Sequence, residues 1–159
     1  MKISHKMFML AGLAVTVGIG LAAGKKVRVL TQNELDAIRW KESSGLPDNE
    51  VVDGDGGKAS GPFQVWEDYW KDAADYDKTL VDEPGENYQK CRERAYAERV
   101  VRAYVARYSL SSDWSFWNVA RLHNAGPSAR KNKKISSAYA DIVVRNLKSL
   151  EKGESPKNK

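Results

Sequence analysis

The spacing of apolar residues along the chain predicts a mainly helical protein. Residues 94–108 form the most regular segment, in which apolar side chains recur at three- and four-residue intervals and arginines occupy the opposite face. An earlier helix over about residues 32–43 is predicted from Thr31 and Glu34, which have the spacing of a capping box. A chain of this length favours one domain built around these helices.

Two further helices are predicted in the last third of the chain. The first begins at a cap formed by Ser112 or Asp113 and ends at Gly126, which a proline follows. The second spans about residues 136–147 and turns Tyr139 and other apolar side chains toward the core.

The segment between the first helix and residue 61 predicts the β-structure. It is rich in glycine, aspartate and serine, and Val51-Val52 is its one β-branched pair, which favours a short hairpin or a small irregular sheet. Gly61-Pro62 is expected to open the next helix, because proline suits a first helical position. The expected fold class is therefore α+β, mainly α-helical, with a small β-hairpin.

The N-terminal residues have the pattern of an export signal. Two lysines precede an uncharged run over residues 7–23, which ends in small residues. Residues 1–24 are predicted to be a signal peptide, or an uncleaved anchor in the inner membrane, because the run approaches the length of a membrane span. We expect an exported protein, periplasmic or secreted, with a folded domain over 27–148 and a polar disordered tail over 149–159.

Composition narrows the class of protein. The 159 residues carry a net charge of +5, which suits an anionic polymer, a membrane surface or nucleic acid. A solvated helix face explains the arginines of residues 94–108, and no nucleic-acid motif is present, so no nucleic-acid partner is expected. One cysteine and two histidines exclude an intrachain disulfide and disfavour a zinc site. We expect a monomer without a metal or other cofactor.

Glu42 and a pair of aspartates suggest acid-base chemistry. Glu42 lies on the same helix face as Leu35 and Ile38, so burial is expected to raise its pKa, as a proton donor requires. Asp53 and Asp55 lie among glycines, in a wetter segment that favours the ionised form. Two carboxyls in unlike environments can cleave a glycosidic bond. Helix-ending glutamates and Asp-Gly turns are also ordinary structural features.

Several ordered motifs occur along the predicted domain. They are Glu42-Ser43-Ser44-Gly45, Gly54-Asp55-Gly56-Gly57, Ser60-Gly61-Pro62-Phe63-Gln64-Val65, Tyr69-Trp70 and Ala120-Arg121-Leu122-His123-Asn124-Ala125-Gly126-Pro127. Together they resemble the lysozyme-like superfamily, and the nearest similarity is to the invertebrate-type (destabilase) lysozymes and their cysteine-poor bacterial relatives. The similarity covers about residues 31–147. The animal members are rich in disulfides, whereas this chain has Ser60 at one of their cysteine positions.

The resemblance implies a lysozyme-like catalytic domain over residues 27–148, with the β-hairpin beside its active-site cleft. It implies that Glu42 is the general acid and that Asp53 or Asp55 is its partner, with the Gly-Asp-Gly-Gly pattern favouring Asp55. The implied substrate is the glycan strand of peptidoglycan, cleaved at the β-1,4 bond between N-acetylmuramic acid and N-acetylglucosamine. The substrate-binding residues expected in the cleft are Gln64, Tyr69, His123 and Asn124.

Other functions fit the same residues. A lytic transglycosylase cleaves the same bond with one carboxyl and closes an anhydro ring, although the aspartate favours a hydrolase. A non-catalytic glycan-binding protein can keep the fold, but the presence of Glu42 argues against it. A dyad of Ser60 and His123 would fit the isopeptidase activity credited to some relatives, although no third group to orient the histidine is visible. Gln64 and His123 also have purely structural interpretations.

Overall fold

The computed structural model describes residues 27–81, 87–109 and 114–157, so the predicted export segment over 1–24 lies outside the described residues. The α-helices are α1 (Gln32–Ser43), α2 (Glu67–Tyr76), α3 (Arg94–Tyr108), α4 (Phe116–Ala125) and α5 (Ser137–Glu151). The antiparallel strands are β1 (Ala59–Ser60) and β2 (Val65–Trp66). This confirms the predicted mainly helical α+β class. Within the described ranges, no helix has the length and apolar character of a membrane span.

Helix α1 begins and ends where the sequence predicts. The Thr31 hydroxyl accepts a hydrogen bond from the Glu34 amide at 3.2 Å, and the Glu34 carboxylate accepts one from the Thr31 amide at 2.9 Å, which closes the capping box. At the other end, the Ser43 hydroxyl donates to the carbonyl of Pro62 at 3.0 Å. The end of α1 that carries Glu42 is therefore tied to the turn of the β-hairpin.

The structure corrects the prediction that Gly61-Pro62 opens a helix. Residues 61–64 form the turn between β1 and β2, and α2 begins only after β2. Gly61 (φ +67°) and Gln64 (φ +47°) both have left-handed backbone conformations, which a helix start does not allow. Val51-Val52, the β-branched pair expected in the hairpin, lies outside both strands.

The hydrophobic core lies between the helices and fixes the elements around the hairpin. Helix α1 packs along α5, α2 packs against α3, and α4 packs against both α5 and α3. The largest completely buried side chains include Leu35, Ile38, Phe63, Leu80, Val100, Val101, Val105 and Leu122. Each contributes about 1.5–3 kcal/mol relative to an exposed position. The core therefore holds α1, α4 and α5 in fixed relative positions.

The C-terminal boundary differs from the predicted one. Helix α5 continues to Glu151, past the expected domain end at residue 148. Pro156, within the segment expected to be a disordered tail, is buried. The first part of the predicted tail is therefore helical.

Candidate active site

A cleft of about 420 Å³ lies between α1, the hairpin and the end of α4. Its lining includes five of the seven predicted site residues, which are Glu42, Asp55, Gln64, His123 and Asn124. Asp53 and Tyr69, the other two, do not line it. Residues that are far apart in the sequence thus meet at one concave surface, which is the geometry that a binding or catalytic site needs.

Glu42 is held through one of its two carboxyl oxygens. The Tyr139 hydroxyl donates a hydrogen bond to Glu42 Oε1 at 2.5 Å, and His123 Nε2 lies 3.5 Å from the same oxygen. In the described part of the chain, no hydrogen bond reaches Oε2. The side chain keeps 16% of its surface exposed at the cleft wall. Oε2 is therefore the oxygen available to a molecule bound in the cleft.

The pKa of Glu42 is lowered, so the predicted rise is wrong in direction. Burial raises the pKa, as the sequence suggested. The hydrogen bond and charge of His123, the hydroxyl of Tyr139 and the ammonium of Lys41 together outweigh burial. Apolar spacing within α1 could not reveal this balance, because two of the three groups come from α4 and α5.

His123 is buried, and both of its ring nitrogens have partners. Nε2 lies 3.2 Å from the carbonyl oxygen of Phe63, and Nδ1 lies 3.1 Å from the hydroxyl of Tyr69. Because a carbonyl oxygen only accepts, Nε2 carries a proton, and Nδ1 shares a hydrogen bond with the Tyr69 hydroxyl. Tyr69 therefore orients His123 from outside the cleft, while His123 itself forms part of the cleft wall.

The two aspartates occupy different environments. Asp53 accepts hydrogen bonds from Arg92 Nε at 3.0 Å and from the amide of Gly61 at 3.1 Å. The Arg92 hydrogen bond is the main cause that lowers the pKa of Asp53; burial opposes it, and Gly61 reinforces it. Asp55 is exposed, lines the cleft and has a left-handed backbone (φ +50°). The structure thus places Asp55, and not Asp53, in the cleft with Glu42.

Gln64 fastens the loop that carries Asp55. Its Nε2 donates to the carbonyls of Gly61 at 2.9 Å and Val52 at 3.2 Å. The side chain crosses Gly54 so closely that a Cβ on Gly54 would lie 2.1 Å from Gln64 Oε1. Gln64 therefore has a structural role in the loop, and its side chain also lines the cleft.

Tyr139 and Trp66 are among the site residues that the sequence did not predict. Tyr139 has core spacing in α5, and its contact with Glu42 leaves no local pattern. Trp66 is 47% exposed and lines the cleft together with two adjoining cavities of about 320 and 370 Å³. Val65 is buried and Trp66 is exposed in the same strand, but both are apolar, so the sequence pattern contained no signal that distinguishes Trp66 from a core residue.

Among the described residues, Ser60 and His123, the alternative dyad, form no hydrogen bond with each other. Ser60 Oγ is buried and has no hydrogen-bond partner among the described residues, while His123 is bonded to Tyr69 and Phe63. The described ranges also contain no group of three or more histidine, cysteine, aspartate or glutamate side chains that could hold a metal ion.

Comparison with known proteins identifies the family. The model of the Destabilase family matches residues 37–145, a range that covers more than half of the chain and includes Glu42, Asp55, His123 and Tyr139. A search of curated proteins and a search of solved structures each found no match. The family is a lysozyme-like glycoside hydrolase family, which suggests activity of the lysozyme or isopeptidase type. The matched range contains the motifs that carry the resemblance, and the chain belongs to the destabilase family, the invertebrate-type lysozymes.

Proposed function

We propose that this protein is a muramidase, which hydrolyses the β-1,4 bond between N-acetylmuramic acid and N-acetylglucosamine in peptidoglycan. The observation that carries the proposal is the presence of two carboxyls, Glu42 and Asp55, in the lining of one cleft. Glu42 is largely enclosed and bonded through one oxygen, whereas Asp55 is exposed among glycines. Glycoside hydrolysis uses two carboxyls in such unlike environments.

In the proposed reaction, Glu42 donates the proton. Protonated Glu42 gives its proton to the glycosidic oxygen, and the C–O bond breaks with both bonding electrons going to that oxygen. The Asp55 carboxylate stabilises the positive charge that develops on the sugar ring. Water then supplies the hydroxyl group to the sugar carbon, and its other proton restores the starting state of the two carboxyls.

The surroundings of the cleft suit an extended glycan. Trp66 lies between the cleft and two further cavities, and its flat apolar face can stack on a sugar ring. Asn124 Oδ1 accepts a hydrogen bond from Ser136 at 2.6 Å, which leaves the amide N–H groups of Asn124 as donors for sugar oxygens. The net charge of +5 suits an anionic wall polymer.

The proposal includes export, because peptidoglycan lies outside the cytoplasmic membrane. The basic and apolar pattern of residues 1–24 supports it, either as a cleaved signal peptide or as an anchor.

The masses of the products test the proposed reaction. Purified peptidoglycan is digested with the full-length protein, and the released fragments are analysed by mass spectrometry. Hydrolysis yields fragments with a reducing muramic acid end, whereas a transglycosylase yields anhydro fragments that are lighter by one water. We expect the hydrolytic products. Anhydro fragments alone would replace the proposal with the transglycosylase, and glycan binding without any cleavage would replace it with a non-catalytic role.

A further inference from the structure

We propose that Tyr139 is a positioning residue: it holds Glu42 by Oε1 and so makes Oε2 the oxygen that carries the donated proton. This inference rests on the proposed function and deepens it. It gives a role in the reaction to a residue that lies 97 positions from Glu42 in the sequence and whose spacing in α5 suggested only a place in the core.

Two donors converge on Oε1. The Tyr139 hydroxyl lies 2.5 Å from this oxygen, and His123 Nε2 lies 3.5 Å from it. Nε2 carries a hydrogen because it also faces the carbonyl of Phe63. A proton on Oε1 would face the hydroxyl hydrogen of Tyr139 and the hydrogen on His123 Nε2, which is an unfavourable contact. The acid form of Glu42 therefore carries its proton on Oε2.

The direction of the bond between Tyr139 and Glu42 follows from their acidities. Burial is the largest cause that raises the pKa of Tyr139 well above 10, and the charge and hydrogen bond of Glu42 add to it. The phenol thus keeps its proton across the whole range in which Glu42 titrates. Ionised Glu42 has no hydrogen to donate, so the hydroxyl donates and stabilises the carboxylate. The lowered pKa of Glu42 agrees with this direction.

Neighbouring elements fix both partners of the bond. Helix α5 packs along α1, and the side-chain amide of Asn146 on α5 donates to the carbonyl of Ala37 on α1 at 3.3 Å. Lys41 Nζ lies 5.4 Å from the centre of the Tyr139 ring. The groups that shift the pKa of Glu42 are His123 on α4, Tyr139 on α5 and Lys41 on α1, and the charge of Glu42 in turn raises the pKa of buried Tyr69 on α2. Such preorganisation is what a positioned proton donor requires.

The test is Tyr139→Phe, which removes only the hydroxyl. The side-chain carboxyls of protein labelled with ¹³C-glutamate are titrated by NMR, and Glu42→Gln identifies the signal of Glu42. We expect the pKa of Glu42 to rise in Tyr139→Phe. The upper limb of the pH profile of kcat/KM should move to higher pH by the same amount. The limiting kcat on the acid side of that limb should fall by about tenfold, with little change in KM.

Tyr108→Phe is the matched control. The Tyr108 hydroxyl donates to Asp72 Oδ2 at 2.6 Å in a bond between α3 and α2, so its removal should leave the pKa of Glu42 and kcat unchanged. An unchanged Glu42 pKa in folded Tyr139→Phe overturns the inference. Wild-type protein that cleaves no peptidoglycan contradicts the proposed function instead, because the NMR titration needs no substrate.

A second variant tests the same hydrogen bond if Tyr139→Phe does not fold. A ring-fluorinated tyrosine at position 139 preserves the shape of the side chain and makes the hydroxyl a stronger donor. The pKa of Glu42 should then fall further. An unchanged or higher value would overturn the inference.

Discussion

At the scale of single residues, the two carboxyls of the cleft differ in what surrounds them. Glu42 receives contacts from α4 and α5, whereas Asp55 is exposed on a glycine-rich loop. The sequence motifs predicted a catalytic role for both residues. They could not identify Tyr139, because a contact between α1 and α5 has no signature in local spacing.

The two aspartates should respond in opposite ways to removal of their charge. Asp55→Asn is expected to lower kcat by about 100-fold or more and to leave stability unchanged, because Asp55 is exposed and lines the cleft. Asp53→Asn is expected to lower the free energy of unfolding and to affect kcat less, because Arg92 and Gly61 lose a charged acceptor. Initial rates on a soluble glycan and urea denaturation measure the two effects.

The pH dependence of stability provides a control for Asp53. Its pKa is lowered in the folded protein, so its stabilising contribution is complete above the unfolded value of about 3.9 and is lost as the pH falls through the folded value. The difference in unfolding free energy between wild type and Asp53→Asn should shrink over that range.

A stable but inactive Asp53→Asn, beside an active Asp55→Asn, would reverse the assignment of the two residues.

At the scale of secondary-structure elements, the hairpin turn lies against the short 3-10 helix Tyr88–Arg92. A Cβ on Gly61 would lie 2.0 Å from the carbonyl oxygen of Cys91 and 2.7 Å from the Cα of Arg92. Both contacts are with backbone atoms, which have little room to move. The φ of +67° at Gly61 also disfavours any side chain. The position of the hairpin beside the cleft depends on this close approach.

Gly61→Ala should therefore destabilise the protein strongly. We expect the free energy of unfolding to fall by roughly 3 kcal/mol or more, since the backbone penalty of about 1–2 kcal/mol adds to the overlap with the 3-10 helix. Gly153→Ala is the matched control, because Gly153 has a similar φ of +73° but no atom near its Cβ position. It should lose only about 1–2 kcal/mol. Equal losses in the two variants, measured by urea denaturation, would contradict the close-approach explanation.

The elements also show which features a sequence can predict. The capping box of α1 and the apolar stripe of α3 depend on residues a few positions apart, and both helices have the predicted bounds. Gly61-Pro62 suited a helix start and a turn equally well. The turn formed because Gln64 adopts a left-handed conformation and bonds back across the loop, which requires contacts outside the local pattern.

At the scale of the whole molecule, the packing of α1, α4 and α5 determines the pH range in which the proposed reaction runs. Glu42 must be protonated to act as a donor, and its protonated fraction falls as the pH rises through its pKa. Burial raises that pKa, but His123, Tyr139 and Lys41 lower it below the ordinary value. The upper limb of kcat/KM should therefore lie below about pH 4.3, the ordinary value for glutamate.

A soluble chitooligosaccharide at constant ionic strength is the suitable substrate for this profile, because salt and pH also change the binding of a basic protein to an anionic polymer. An upper limb well above the ordinary glutamate value would mean that burial changes the pKa of Glu42 more than His123, Tyr139 and Lys41 do.

The rate at which Glu42→Gln lyses purified peptidoglycan shows whether Glu42 is the proton donor. Glutamine keeps the shape of the side chain and removes the acidic proton, so the rate of turbidity loss should fall by about 10²–10⁴-fold while the far-ultraviolet circular dichroism stays that of the wild type. Glu151→Gln, at the exposed end of α5, is the control and should lyse at the wild-type rate. A folded Glu42→Gln protein that lyses peptidoglycan at nearly the wild-type rate would exclude Glu42 as the proton donor.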